Sequence, residues 1–190
     1  EKHMNINAPL SIRRRMGLEI FRRLENERTE EHQLKQLFWE CTLRCNLHCR
    51  HCGSDCKKIA GHPDMPKEDF LRVLDSVSAQ NDPHKIFVII TGGEPLMRKD
   101  LEECGRAIYE RGFPWGMVTN GLYMTRERLN GLLDAGLHTA TVSLDGFATD
   151  HNWMRGKYAF GGVERLLDKF GGKRLAAFYY IPGRACSQRS

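Results

Sequence analysis

Three cysteines in the first third of the 190-residue sequence have a spacing suited to metal binding. Cys45, Cys49 and Cys52 form a C-x3-C-x2-C pattern. Thiolates are soft ligands that select iron–sulfur clusters, zinc or copper. Structural zinc sites usually combine two C-x2-C knuckles, or one knuckle with a distant pair of histidines, and only one knuckle occurs here. The pattern therefore favours an iron–sulfur cluster, and three ligands would leave one iron of a four-iron cluster open to another molecule.

The other cysteines divide between the same segment and isolated positions. Cys41 is predicted to end the first strand as a small buried residue, and the pattern leaves open whether Cys56 is a ligand or a packing residue. Cys104 falls on the apolar face of a predicted helix, and Cys186 stands alone. Five of the seven cysteines lie within 16 residues, and no apolar signal segment opens the sequence. Both features indicate a metal site in a reducing compartment, so we expect a cytoplasmic protein.

A pair of glycines follows a strongly apolar run and precedes an acidic residue. Gly92 and Gly93 allow a ligand to approach the backbone where a side chain would block it. Backbone carbonyls and the Glu94 carboxylate could then accept hydrogen bonds from an ammonium group. An ordinary strand-to-helix turn explains the pair equally well when it is considered alone. The sequence has neither of the glycine-rich patterns that bind nucleotide phosphates.

Helical and strand patterns alternate about every 25–30 residues, which is typical of βαβ units and a parallel sheet. Strands are predicted to begin at Leu37 and to cover residues 85–91, 115–119, 139–144 and 175–181. Helices are predicted over residues 9–30, 66–80, 99–111, 125–135 and 160–170. Polar or glycine-rich residues follow four of these strands: the cysteine segment and residues 91–95, 119–121 and 143–146. Because the carboxyl ends of parallel strands meet at one edge, these four segments indicate one shared site.

Composition and charge are those of an ordinary globular chain. Hydrophobic residues make up 41% and charged residues 28%, and the net charge is +5. The basic excess is concentrated in the first predicted helix, where it favours a solvated face over a nucleic-acid surface. No apolar run approaches the roughly 20 residues that span a bilayer. We therefore expect no nucleic-acid partner and no membrane-spanning segment.

Several motifs in order along the chain resemble those of the radical S-adenosylmethionine (SAM) superfamily. They are CNLHCRHC at residues 45–52, TGGEP at 91–95, TNG at 119–121 and VSLDG at 142–146. The pattern His151-x-x-x-Arg155-Gly156 is similar to that of the peptide-modifying branch, which usually carries a SPASM extension and includes anaerobic sulfatase maturases. Residues 8–56 resemble the radical enzymes paired with small lipoproteins in Bacteroidetes-type bacteria. The resemblance covers about residues 8–170.

The resemblance implies a cofactor site and a role for each residue in it. Cys45, Cys49 and Cys52 would hold a 4Fe-4S cluster whose fourth iron binds the amino and carboxylate groups of SAM. The amino group would also be held by Gly92, Gly93 and Glu94. Ser143 would face the ribose or the carboxylate, Arg155 would pair with the carboxylate, and His51 would lie near the adenine.

The resemblance also implies an activity and its partners. The chain would be an enzyme that reductively cleaves SAM to a deoxyadenosyl radical and thereby modifies a peptide or protein, with a small lipoprotein as one candidate substrate. An electron donor such as flavodoxin or ferredoxin would supply the electron. Two alternatives remain: a catalytically inactive iron–sulfur-binding fragment, and a zinc-binding module whose basic helix contacts nucleic acid.

The implied fold is an α/β, incomplete (β/α) partial TIM-like barrel with parallel strands and an N-terminal helix. Residues 1–32 would form a basic helical segment, and residues 33–181 the core, with about four βα units and a fifth strand. Residues 182–190 would be an irregular tail. A radical SAM barrel and a cysteine-bearing extension would continue beyond that strand, so we expect the sequence to be truncated at its C-terminal side.

Overall fold

The computed structural model describes residues 11–54, 56–164 and the strand at 175–179. The chain divides after Leu34 into two compact units. The first contains helix α1 (Ile12–Glu31), which begins where the Ser11 hydroxyl accepts a hydrogen bond from the Arg14 amide at 3.4 Å. This capping contact satisfies one of the amides that a helix leaves unpaired in its first turn. Helix α1 confirms the predicted N-terminal helix over the residues described.

The second unit is built on a five-stranded sheet. Its strands are β1 (Gln36–Thr42), β2 (Phe87–Gly92), β3 (Trp115–Thr119), β4 (Leu137–Leu144) and β5 (Leu175–Tyr179). All neighbouring strands are parallel, and their order in the sheet is the order in the chain. The connecting helices are α2 (Lys67–Ser78), α3 (Leu101–Glu110), α4 (Arg126–Asp134) and α5 (Ala148–Arg155), with short 3-10 turns at Pro83–Lys85 and Pro95–Met97. Among the described residues, no helix combines the length and apolar character needed to cross a bilayer.

The core lies between the sheet and the helices that cover it. Trp115 on β3 is fully buried, and its indole nitrogen donates to the Ala135 carbonyl at 3.2 Å. Helix α3 approaches this ring so closely that a Cβ added to Gly105 would lie 2.2 Å from it. Cys41 and Cys104 are both fully buried, which confirms that they are packing residues. The core thus holds the strand ends in fixed register, and the site depends on that register.

One helix was not predicted, and several elements begin or end one or two residues away from the predicted position. Helix α5 was not predicted, because its eight residues carry no helical apolar repeat and its first residue has no side-chain cap. Strand β4 begins two residues earlier than predicted, at Leu137. Residues 160–164 begin the helix predicted for 160–170, and the rest of that prediction lies outside the described residues. The predicted tail and Cys186 also lie outside them.

Candidate active site

A cavity of about 160 Å³ lies at the carboxyl ends of β1 to β4, where the sequence predicts one shared site. All four strand exits contribute to its wall, and α5 adds one residue. The lining residues are Cys45, Cys49, His51, Cys52, Cys56, Thr91, Gly92, Gly93, Val118, Thr119, Asn120, Ser143 and Arg155. The structure therefore brings together the three predicted ligands and five of the six predicted cofactor-binding residues. The exception is Glu94.

The cysteine loop is held by its own backbone. The Cys45 amide donates to the Lys57 carbonyl at 2.8 Å, and the Cys52 amide donates to the Cys49 carbonyl at 3.2 Å. Cys45 is buried, Cys49 is half-buried and Cys52 is exposed. Burial raises the pKa of the Cys45 and Cys49 thiols. Because a metal is bound by the thiolate, loading this loop with metal must release protons.

The donor set suits an iron–sulfur cluster. Three thiols from one loop line one side of the cavity, and thiolate is the ligand that such clusters take. In an iron–sulfur cluster each cysteine would bind a separate iron, so the three thiols need not meet at one ion. Within residues 11–54 and 56–164, no three His, Cys, Asp or Glu side chains converge on a single ion. Cys56 also reaches the cavity wall with only 3% of its surface exposed, and its thiol contacts the Ser54 carbonyl at 3.8 Å.

Gly92 and Gly93 are required by close backbone packing, which the sequence did not predict. A Cβ at Gly92 would lie 2.3 Å from the Thr42 carbonyl oxygen, and one at Gly93 would lie 2.3 Å from that of Arg44. The Gly93 amide donates to the Thr42 carbonyl at 2.7 Å, and the next amide donates to Arg44 at 2.9 Å. Glycine is therefore required so that the end of β2 can pair with the start of the cysteine loop. The same close approach leaves the glycine backbone at the cavity wall.

Glu94 lies behind the cavity wall. Its side chain is fully buried, and Oε1 accepts hydrogen bonds from the Leu96 amide at 3.1 Å and the Thr119 hydroxyl at 2.7 Å. Its Oε2 accepts one from the Asn120 amide at 2.7 Å. Burial raises the pKa of the Glu94 carboxyl, and the three donors act in the opposite direction. The carboxylate thus holds the exit of β3 against the exit of β2, and its predicted contact with an ammonium group stays a prediction.

Asn120 extends this connection to the cysteine loop. Its side-chain amide donates to the Asn46 side-chain carbonyl at 2.7 Å, and its own carbonyl oxygen accepts from the Leu122 amide at 3.0 Å. Asn46 follows Cys45 directly. The exit of β3 is therefore tied to the residue beside the first cysteine, and neither asparagine was assigned a role from the sequence. Each stands in a motif, but only the fold shows that the two side chains meet.

On the far side of the cavity, Arg155 is oriented by Asp145. The arginine Nε and Nη2 donate to the two oxygens of Asp145 at 2.5 and 3.2 Å. Asp145 is buried at the exit of β4, and its Oδ1 lies 3.7 Å from Nε2 of His51. Its own amide donates to Nδ1 of the buried His151 at 3.2 Å. This bidentate pair fixes the orientation of the guanidinium, and Arg155 forms part of the cavity wall.

The chain that carries this site matches a known protein family. A family model for the radical SAM superfamily matches residues 39–183, more than half of the chain. The chain is therefore a member of the radical SAM superfamily, as its motifs predicted.

Curated relatives place this membership in context. The Fe-coproporphyrin III synthase of Methanosarcina barkeri is 35% identical over 130 residues, which cover 68% of this chain and 32% of that protein. The PqqA peptide cyclase of Rhodopseudomonas palustris is 32% identical over 127 residues, which cover 67% of this chain and 33% of that protein. The chain thus spans about a third of the length of these relatives.

Solved structures share the fold. The native anSMEcpe with bound AdoMet matches 77% of this chain and 43% of its own, with a TM-score of 0.64 and 20% identity. Streptococcus suis SuiB bound to S-adenosylmethionine matches 92% of this chain and 40% of its own, with a TM-score of 0.63 and 19% identity. These likenesses confirm the predicted incomplete (β/α) barrel.

Proposed function

We propose that this chain is the cofactor-binding core of a radical SAM enzyme that modifies a peptide or protein. One observation carries the proposal: three cysteines of one loop share a cavity with the Gly92 and Gly93 backbone and with Arg155. When bound, a 4Fe-4S cluster supplies the electron that reductively cleaves SAM to a deoxyadenosyl radical. The protein's own contribution is to bind, orient and shield these groups.

Each cavity residue suits one part of that task. Cys45, Cys49 and Cys52 would hold the cluster as thiolates. Backbone carbonyls at Gly92 and Gly93 would accept hydrogen bonds from the ammonium group of SAM. The Arg155 guanidinium would pair with the SAM carboxylate, since the planar guanidinium matches the geometry of a carboxylate. These contacts would fix the orientation in which SAM meets the cluster.

Two residues would hold the rest of the cofactor. The Ser143 hydroxyl, half-buried on β4, would bond to the ribose or to the carboxylate. The His51 ring, at the cavity mouth, would stack near the adenine. Closure of the cavity by substrate and cofactor would exclude water from the reacting atoms.

A peptide or protein substrate is supported by part of the family. One relative is a PqqA peptide cyclase, and a solved neighbour is SuiB bound to the precursor peptide SuiA. Other relatives are an AdoMet-dependent heme synthase and a GTP 3',8-cyclase. The peptide assignment, a small lipoprotein as substrate, and flavodoxin or ferredoxin as electron donor belong to this proposal.

The cofactor assignment is tested by anaerobic reconstitution with iron and sulfide. We expect four irons per chain, an electron paramagnetic resonance (EPR) signal on reduction, and formation of deoxyadenosine from SAM. Cys49→Ala should lose iron and signal together, whereas the matched Cys104→Ala variant removes a buried thiol of the core and should keep both. A colourless chain with one zinc would contradict the proposal in favour of the zinc module. A loaded cluster without SAM cleavage would favour the inactive fragment.

The substrate class needs a separate measurement. Peptides from cells grown on deuterated medium should transfer deuterium to deoxyadenosine, because the radical abstracts hydrogen from its substrate. Deuterated haem precursors and GTP serve as controls. Transfer from either control, and none from peptides, would contradict the peptide assignment and leave the cofactor assignment intact.

A further inference from the structure

The C-terminal end of α5 is capped by the cysteine loop. The last four carbonyls of any helix lack partners within the helix. The Trp153 carbonyl accepts a hydrogen bond from Nε of Arg50 at 2.9 Å. The Met154 carbonyl accepts one from the Arg50 backbone amide at 2.8 Å. A single residue, more than 100 positions earlier in the chain, thus satisfies two of these carbonyls.

The Arg50 side chain makes a third contact with the same turn. Its guanidinium lies 4.7 Å from the centroid of the Trp153 ring, within range of a cation–π interaction. A positive charge at a helix C-terminus is also stabilised by the helix dipole. The planar guanidinium donates to a carbonyl and lies over the adjacent ring at once, a combination that lysine does not reproduce.

Both ends of this contact adjoin the cavity. Arg50 follows Cys49 directly and precedes Cys52 by two residues. Arg155 follows Met154 directly and pairs with Asp145, as described above. The loop that carries the proposed cluster ligands and the arginine proposed to bind the SAM carboxylate are therefore joined by one residue.

We propose that Arg50 is a positioning residue that couples the conformation of the cysteine loop to the placement of Arg155. This inference rests on the proposed function, since it gives the loop a cluster and Arg155 a carboxylate. A loop ordered by its cluster would hold the last turn of α5 and so present Arg155 to the cofactor. Removing the Arg50 side chain would leave the ligands in place and loosen only their connection to α5.

The test compares Arg50→Ala and Arg50→Lys with a matched control, Arg106→Ala. Arg106 donates from Nη1 to the Asp134 carbonyl at 3.3 Å, so it caps the last residue of α4. That helix end leads into β4 and lies at the edge of the sheet opposite the cavity. Each protein is measured for iron content, for the SAM dissociation constant of the cluster-loaded chain, and for hydrogen exchange over residues 148–156.

We expect Arg50→Ala to load iron as the wild type does. Its dissociation constant for SAM should rise about tenfold, the lower end of the effect of losing a supporting contact outside the ligand shell. Exchange over residues 148–156 should increase in the same variant. Arg50→Lys should fall between it and the wild type, and Arg106→Ala should change exchange only at the end of α4.

Wild-type affinity for SAM together with wild-type exchange in Arg50→Ala would overturn the inference. So would an equal loss of affinity in Arg106→Ala. A wild-type chain that takes up no iron would instead overturn the proposed function. Exchange in the cluster-free chain still decides whether Arg50 caps α5, because that contact is present without any ligand: unchanged exchange in Arg50→Ala would refute it.

Discussion

Glu94 is expected to stabilise the candidate active site by accepting hydrogen bonds from three buried donors. In Glu94→Ala the Leu96 amide, the Thr119 hydroxyl and the Asn120 amide lose their acceptor, and all three residues are buried. Each buried donor left unpaired costs about 1–3 kcal/mol, so the variant should lose about 3–9 kcal/mol of unfolding free energy. That is a large part of the roughly 5–15 kcal/mol by which a domain is stable.

Glu94→Gln should do less damage, for a reason that can be read from the geometry. The amide oxygen can take the place of Oε1, which serves Leu96 and Thr119. The amide nitrogen would then face the Asn120 amide, 2.7 Å from the present Oε2, and both groups would be donors. One bond of the three is lost, and the expected cost is about 1–3 kcal/mol.

The assay is urea denaturation of the cluster-free chain, followed by circular dichroism, with Glu110→Ala as a control on the exposed side of α3. The control should stay within about 0.5 kcal/mol of the wild type. The loss of unfolding free energy should be largest in Glu94→Ala, smaller in Glu94→Gln and smallest in the control. An Ala variant as stable as the control would refute the supporting role of Glu94.

The same variant separates support from direct contact with SAM. If the Glu94 carboxylate also accepted a hydrogen bond from the SAM ammonium group, a cluster-loaded Glu94→Gln chain would bind SAM about 10–100-fold more weakly. If the SAM affinity of Glu94→Gln stayed within a few-fold of the wild type, Glu94 would stabilise the site without binding SAM directly.

Three further outcomes follow from the structure. Gly93→Ala should destabilise the chain by about 1–3 kcal/mol in urea, because its Cβ would meet the Arg44 backbone, whereas Gly17→Ala on α1 has open space and should not. Burial and the Arg155 charge lower the pKa of His151. Below about pH 6.5 the His151 ring is therefore protonated in the unfolded chain but stays neutral in the folded chain. Stability should therefore fall as pH falls from 7.5 to 5.5, and His151→Asn should show a smaller fall; equal losses would contradict this. Cys56→Ala should keep the iron content of the wild type after reconstitution, and a loss as complete as in Cys52→Ala would make Cys56 a fourth ligand.

The sequence predicted the parts of the fold that depend on local pattern. Val88 and Ile90 in the apolar run that becomes β2 are fully buried, and Gly112 and Gly136 follow the ends of α3 and α4 where the chain must turn. It also predicted that four strand exits share one site, because parallel strands end on the same edge. Helix α5 was missed because its own apolar pattern is weak and because Arg50, which caps its C-terminal end, lies more than 100 residues earlier in the sequence.

Side-chain direction was the other limit of prediction. Glu94 follows two glycines that line the cavity, yet its carboxylate is fully buried, because the Thr119 hydroxyl and the Asn120 amide, 25 and 26 residues later, donate hydrogen bonds to it. The glycines were predicted for a ligand's approach, and the structure shows that the Thr42 and Arg44 backbones already require them. Such contacts between strand exits cannot be read from either motif alone.

The order of strands in the sheet has a consequence for biosynthesis. Since β1 to β5 lie side by side in the order of translation, each strand can pair with one that has already left the ribosome. The cysteine loop emerges with the first strand, whereas the carbonyl that Arg50 binds emerges 103 residues later. At about 5–20 residues per second, the loop spends roughly 5–20 s without α5. The backbone hydrogen bonds that hold the loop involve residues made before α5, so the loop should be able to take up its proposed cluster in that interval. The contact through Arg50 that places Arg155 is then expected to form last, after α5 has been made.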